Sequence, residues 1–447
     1  MRSETFMDLI GQIDNRFIIE ADTRSAEANS LRHSWIKRIP AIAAVAACLI
    51  IGMLVLLNPA QPTDPSGYSN LPKLAVNTEF GAFGFEGYLA YDVGELNNGN
   101  PWTENNSLTT MPVFTNPGKY DGSGIPLNGL SPEEMMAEAE KLADLFGLQI
   151  ISLETEPTQA QIEQILQKLK DADASEEEIR QNTSTYKATA ECMGARIEVN
   201  KDGHIVLTLT PETADLAKEI GKLSAYDSFT IDFDFGYETI DGIRYSFGLP
   251  LPEGYSFSYS NTSHEQAKTI TQYLFSEYGS FMRIQKPGYG LTAAYTYNGV
   301  LMCQNTFVYD DGGSLTDRIL NYNFRRLYFS PTDSGGLSAI RYDNADLSQK
   351  IGDYPIITAK DARKLLLKKH YVTSVPEDFP GEKYIAHVEL IYRTSRFDTV
   401  YMPYYRFLVE LPTMARDNGL KTFGAFYVPA VKGEFLESMP IWNGSFN

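Results

Sequence analysis

The sequence predicts an α+β protein behind a single N-terminal transmembrane helix. Two observations carry that prediction. Nineteen consecutive residues, Ile39 to Leu57, are uncharged in an otherwise polar chain. Beyond them a capped amphipathic helix followed by alternating strands recurs about three times, the pattern of helices laid across antiparallel sheets. Composition agrees: of 447 residues 43% are apolar and 12% aromatic, with 27 Tyr and 24 Phe, enough for sizeable cores and unlike a disordered chain.

The first element lies in residues 1–38. In "MRSETFMDLIGQIDNRFIIEAD", Phe6, Leu9, Ile10, Ile13 and Phe17 fall at steps of three or four, one face of a helix. So short a segment builds no core of its own. A helix lying on an anionic leaflet would carry Lys and Arg on its polar face, whereas this one carries Asp8, Asp14, Glu20 and Asp22. The better expectation is a groove on a protein partner, with those five apolar residues as its anchors.

The second element is the run 39–57. At about 1.5 Å per residue it spans about 28 Å, close to a bilayer core of about 30 Å. A cleavable signal would have a shorter apolar stretch and a small-residue cleavage site, and "LNPAQP" is a poor one. The tetrapeptide ending at Cys48 resembles a lipoprotein box, but strongly apolar residues follow it, so an anchor is favoured. Arg32, Lys37 and Arg38 precede the run, Trp35 suits an interface, and "NPAQPTDPSGYSN" after it has no base. Basic flanks mark the cytoplasmic side, which puts the N-terminus inside and the bulk of the chain outside the cell membrane.

Residues 58–78 read as a Pro-rich linker, with prolines at 59, 62, 65 and 72. A first α+β domain is expected over 79–225. There "SPEEMMAEAEKLADLFGL" has Ser131 as cap, Pro132 in the first turn and Gly147 at its end. "TQAQIEQILQKLKDA" is a further helical piece, and "ATAECMGARIEVNKDGHIVLTLT" gives two strands turning at Lys201-Asp202-Gly203. A second module, 226–345, pairs the helix "SHEQAKTITQYLFSEYG" with strands at "LTAAYTYNG", "LMCQNTFVYDDGG", "NYNFRRLYFS" and "LSAIRYDN". The third, 346–447, has a helix capped by Thr358 before strands at "HVELIYRT", "YMPYYRFLVEL" and "TFGAFYVPAV".

Two resemblances follow from these stretches. "LIGQIDNRFIIEAD", a basic Trp-containing stretch and an Ala-rich single span together resemble anti-sigma-factor-like membrane proteins of clostridial Firmicutes. In that family a cytosolic segment binds an alternative sigma factor and an outer domain senses envelope conditions. The His-x-x-x-Cys-x-x-Cys zinc motif of many such proteins is absent here. The outer region, best over roughly 345–430, is similar to PepSY-like modules and to extracytoplasmic regulators of sensor kinases, which bind or inhibit other proteins without catalysis.

Charge and motifs narrow the chemistry. Residues 1–38 hold six bases and six acids, so the whole net charge of −19 belongs to the remainder, and nucleic acid is excluded as a partner. His264-Glu265 begins a zinc-protease pattern, but Lys268 stands where the second histidine belongs. "YDGSGIP" has Asp121 where a nucleophile elbow needs glycine. Asp232 and Asp234 are expected on a solvated strand face, and Asp310, Asp311 and Asp317 in a hairpin loop without a calcium-loop ligand pattern. Cys192 and Cys303 are expected as unpaired core thiols rather than a bridge, and the tyrosine-rich strands as packing rather than sugar or peptide platforms.

No catalytic residue, metal site or cofactor is expected, so the chain reads as a non-enzyme. The expected function is a membrane-anchored signalling regulator: a cytosolic helix holding a transcription factor, a sigma factor being the first candidate, and an outer domain meeting an unidentified envelope ligand. The alternative is a non-catalytic envelope-binding protein with an uncleaved signal helix.

Overall fold

The computed structural model describes Tyr68, Asn70 and residues 71–444, except 79–84, 121–123, 172–173, 176–178, 180–185, 226–228, 241–242, 247 and 261. Leu71–Asn447 forms one compact unit. The expected amphipathic helix and the expected span 39–57 lie outside the described residues. Among those that are described, no helix is long and apolar enough to cross a membrane.

In chain order the unit begins with β1 (Gly87–Ala90), β2 (Thr110–Thr115), α1 (Pro132–Phe146), β3 (Ile150–Glu156) and α2 (Gln159–Asp171). Next come β4 (Lys187–Cys192), β5 (Ala195–Asn200), β6 (Ile205–Leu209), β7 (Phe229–Phe235), β8 (Tyr237–Ile240) and β9 (Ile243–Ser246). The middle holds α3 (His264–Tyr278), β10 (Pro287–Tyr295), β11 (Leu301–Asp310), α4 (Leu315–Phe324), β12 (Arg325–Pro331) and β13 (Leu337–Asn344). The last part is β14 (Lys350–Pro355), α5 (Ala359–Leu367), β15 (Val372–Thr373), β16 (Ile385–Tyr392), β17 (Val400–Tyr401), β18 (Pro403–Glu410) and β19 (Lys421–Pro429).

Sheet dominates, and this corrects the expected α+β series of helix-plus-meander modules. Strands β3–β7 and β10–β13 build one nine-stranded sheet in the order β10-β11-β12-β13-β7-β6-β5-β4-β3. Its joint is a parallel pair: Ile205, Leu207 and Leu209 of β6 stand in register with Ile231, Phe233 and Phe235 of β7. That register aligns the apolar faces of two sequence-distant meanders. One continuous buried face then forms where separate modules would each leave an exposed edge. Met135, Ala139 and Leu142 of α1 and Ile270 and Leu274 of α3 cover it.

A second sheet, β1-β19-β18-β16, with β15 also on β19, is joined by a third, β14-β2-β17. One face of the second sheet is closed by α5, through Ala362 and Leu366 against Phe407 and Phe426. The other face packs toward α4 and the nine-stranded sheet, where Tyr322 and Phe307 share a core with Tyr404, Leu408 and Tyr427. From Leu71 the Pro-rich stretch is already part of the unit. Leu74 is buried and bonds the backbone of Phe435 and Glu437, and the Tyr354 hydroxyl donates to the Pro72 carbonyl at 2.8 Å.

The local helix signals hold. Ser131 caps α1 in a box with Glu134, Pro132 opens it, and Gly147 ends it at φ +68. Ser263 and Thr358 cap α3 and α5. Three local expectations change. "NYNFRRLYFS" is the last turn of α4 running without a loop into β12. Asp317 is accordingly not in a hairpin loop but in the capping box of Ser314, at the start of that helix. "ATAECMGARIEVNKDGHIVLTLT" is three strands, because Gly194, at φ +76, allows an extra turn. Cys192 and Cys303 are both buried and free.

Candidate functional site

The β18 sequence PYYRFLVE places Arg406 among apolar neighbours on the face turned from α5. Alternation alone puts it there, since Tyr405, Phe407 and Val409 point the other way. Its in-register neighbours are Glu389 on β16 and Tyr427 on β19. The Arg406 guanidinium donates to Glu389 Oε2 through Nε at 3.0 Å and again through Nη2. Glu389 is wholly buried, and its Oε1 lies 3.4 Å from His387 Nε2. Burial alone would raise the Glu389 carboxyl, but Arg406 and then His387 outweigh it and hold it down at about 2.

Just before β1 stands Glu86. Its Oε1 accepts from the hydroxyls of both Tyr88 and Tyr427, each at 2.6 Å, and lies 3.9 Å from Arg406 Nη1. Burial first, and then the Glu86 charge, push both phenols well above the ordinary tyrosine value, so both stay protonated donors.

The other wall comes from the helix-to-strand junction α4–β12. A helix leaves its last carbonyls unpaired, and a cation suits that end. Arg326 supplies it, its Nε donating to the Tyr322 carbonyl. Its Nη1 donates to the Tyr328 hydroxyl at 3.2 Å, and its guanidinium carbon lies 4.4 Å from the Tyr322 ring centroid and 4.7 Å from that of Phe307. Tyr322 is fixed in turn by donating to Asn98 Oδ1, and Asn323 Oδ1 accepts from the Tyr392 backbone at 3.1 Å.

Between these walls lies a cavity of about 620 Å³, lined by Glu86, Tyr88, Arg326, Tyr328, Arg406 and Tyr427 among others. Aromatic walls with a few fixed polar groups converging on one space hold and orient a ligand. Three of its charges are matched within the protein: Arg406 by Glu389, Asp343 by Arg341 at 2.8 Å, and Arg393 by Asp398 at 3.3 Å. Arg326 has no carboxylate partner among the described residues, only the oxygens of Tyr322 and Tyr328.

The residues singled out in the sequence fall elsewhere. Phe6, Leu9, Ile10, Ile13 and Phe17, and the flanking Arg32, Trp35, Lys37 and Arg38, lie outside the described residues. Asp232 is not solvated: it is 9% exposed, 2.9 Å from His204 Nε2 and 3.9 Å from Arg341 Nε. Asp311 pairs with Lys286 at 2.6 Å and with Arg318, and Asp310 accepts from the Gly312 backbone. Among the described residues no group of three or more His, Cys, Asp or Glu is placed to hold a metal ion.

The cleft itself was missed, although part of it had a signal. Glu389 is the only charge within "VELIY" and Arg406 the only one within "YYRFLV". Lone opposite charges in two apolar strands point to a buried pair. Glu86 and Arg326 have no comparable signal. No protein-family model matches this chain, and no curated protein and no solved structure matches it either.

Proposed function

We propose that Leu71–Asn447 is the receiving module of a signalling regulator and that the cleft between β12 and the β1-β19-β18-β16 sheet takes its ligand. The observation that supports this reading is the cavity of about 620 Å³, walled by tyrosines and carrying Arg326 with no carboxylate partner among the described residues. In this reading the module faces the envelope side of the cell membrane. Residues 1–38 face the cytosol, where Phe6, Leu9, Ile10, Ile13 and Phe17 hold a protein partner, a sigma factor being the first candidate. Ligand in the cleft is the input and release or retention of that partner is the output.

The test is native mass spectrometry of the full-length chain, purified in detergent after exposure to the low-molecular-mass fraction of a cell-envelope extract. Wild type retains a small molecule that an Arg326→Met variant, shown to be folded by circular dichroism, does not. Equal spectra from the two proteins would remove the cleft as the receiving site.

A further inference from the structure

We infer that the cleft is built for a small zwitterion, an amino acid or short peptide whose free carboxylate meets Arg326 and whose free ammonium meets Glu86. This rests on the cleft being a ligand site at all. The argument is one of unmatched charge.

Arg326 enters from the nine-stranded sheet. Tyr322 and Phe307 hold its plane, and its Nε and one Nη1 hydrogen are engaged by neutral oxygens. A guanidinium has five N–H groups in a fixed fork, so three remain, and a carboxylate is the group that fits two of them at once. Aromatic stacking supports this cation but does not neutralise it.

Glu86 enters from the second sheet. Both tyrosine hydroxyls and the nearest Arg406 nitrogen address Oε1, leaving Oε2 without a protein partner among the described residues. Arg406 is shared: it is committed in two bonds to Glu389, which is fully buried, and its Nη1 forms a longer ion pair with Glu86 at 3.9 Å. Glu86 is therefore held through Oε1 by two neutral donors and a shared cation, which leaves Oε2 to receive an ammonium group.

A cation with no carboxylate partner among the described residues and an anion that only shares its cation, both on the same cavity, complement a ligand carrying both signs. A simple anion or cation would satisfy one and leave the other desolvated. Tyr88, Tyr328 and Tyr427 give the body of such a ligand apolar surface and polar edges. The volume, about 620 Å³, exceeds that of a single amino acid and suits a short peptide.

The test is calorimetric titration of the full-length chain with trialanine, with its N-acetyl and C-terminal amide forms, and with free alanine and free tyrosine. Blocking either end of trialanine should weaken binding about ten- to a hundredfold, the worth of one charge-assisted contact. Arg326→Met should abolish the preference for a free carboxylate, with Arg326→Lys intermediate. Glu86→Gln should abolish the preference for a free ammonium, and all three variants should remain folded at the titration temperature, read from circular dichroism. Tighter binding of the free amino acids than of trialanine would assign the site to single residues, within the same inference. Blocked and free trialanine binding alike would overturn the zwitterion and leave the binding module standing. No binding by any of the five probes would overturn it too, while a molecule retained in the mass-spectrometric experiment would still support the receiving module.

Discussion

Glu389 and Arg406 stand directly opposite each other on β16 and β18, and the carboxylate has no solvent-exposed surface. Taking two ions out of water is costly, and their attraction offsets this only while both are present and well placed. Removing one partner leaves a bare charge in the core. Arg406→Met should therefore destabilise the chain by about 3–5 kcal/mol, read from the urea midpoint, while Glu389→Met with Arg406→Met should recover most of the loss. A single variant as stable as wild type would mean that Glu389 is solvated in solution.

The same pair sets an acid limit. Glu389 titrates at about 2 in the fold, against about 4.3 for an unfolded glutamate. Between those values the unfolded chain binds the proton and the folded chain does not, so stability rises with pH. The contribution is complete above about 4.3 and is lost as pH falls toward 2. Unfolding midpoints measured from pH 2 to 6 should show this slope in wild type and a shallower one in Glu389→Gln.

Helix α4 positions both Tyr322 and the junction to Arg326, and it begins with Ser314 accepting from the Asp317 backbone at 3.2 Å. Ser314→Ala should cost about 1 kcal/mol. Hydrogen exchange should quicken over 315–326 more than over α1, whose own cap is untouched.

The N-terminal stripe is tested with the full-length chain as bait in a cytosolic extract. In the proposed reading Ile13→Asp puts a charge in the middle of the expected apolar face and should release the partner, whereas Gln12→Ala should retain it. Identical recoveries from both variants would leave the stripe without a binding role.

Local chemistry was legible and long-range pairing was not. Ser131, Ser263 and Thr358 announce their helices because a cap is settled within four residues. The partner of β6 is not announced, because nothing in "HIVLTLT" distinguishes a parallel neighbour beyond a helical connection from the next hairpin. Alternation in "TIDFDFGY" gave the strand and its buried face. It could not give the fate of Asp232, since His204 reaches that residue only after β6 and β7 pair. The aromatic run in "NYNFRRLYFS" favoured a strand throughout. Tertiary burial of Tyr322 and Phe324 holds its first four residues in a helix instead. Glu86 and Arg326 come to one cavity only once two sheets face each other, so no window of sequence contains the cleft.

The unit's beginning and end are laced together. Leu74 accepts from Glu437 and donates to Phe435, and β1 is zipped to β19 from Gly87 to Ala90. Mechanical load entering at Leu71 thus meets the Leu74 bonds first and the short β1–β19 ladder next, with Glu86 at the mouth of that ladder. A pull strong enough to peel β1 from β19 would carry one wall of the cleft away with it. A ligand bridging Glu86 to Arg326 would act as a stitch across that seam, tying the force at which the first strand lets go to whether the cleft is filled.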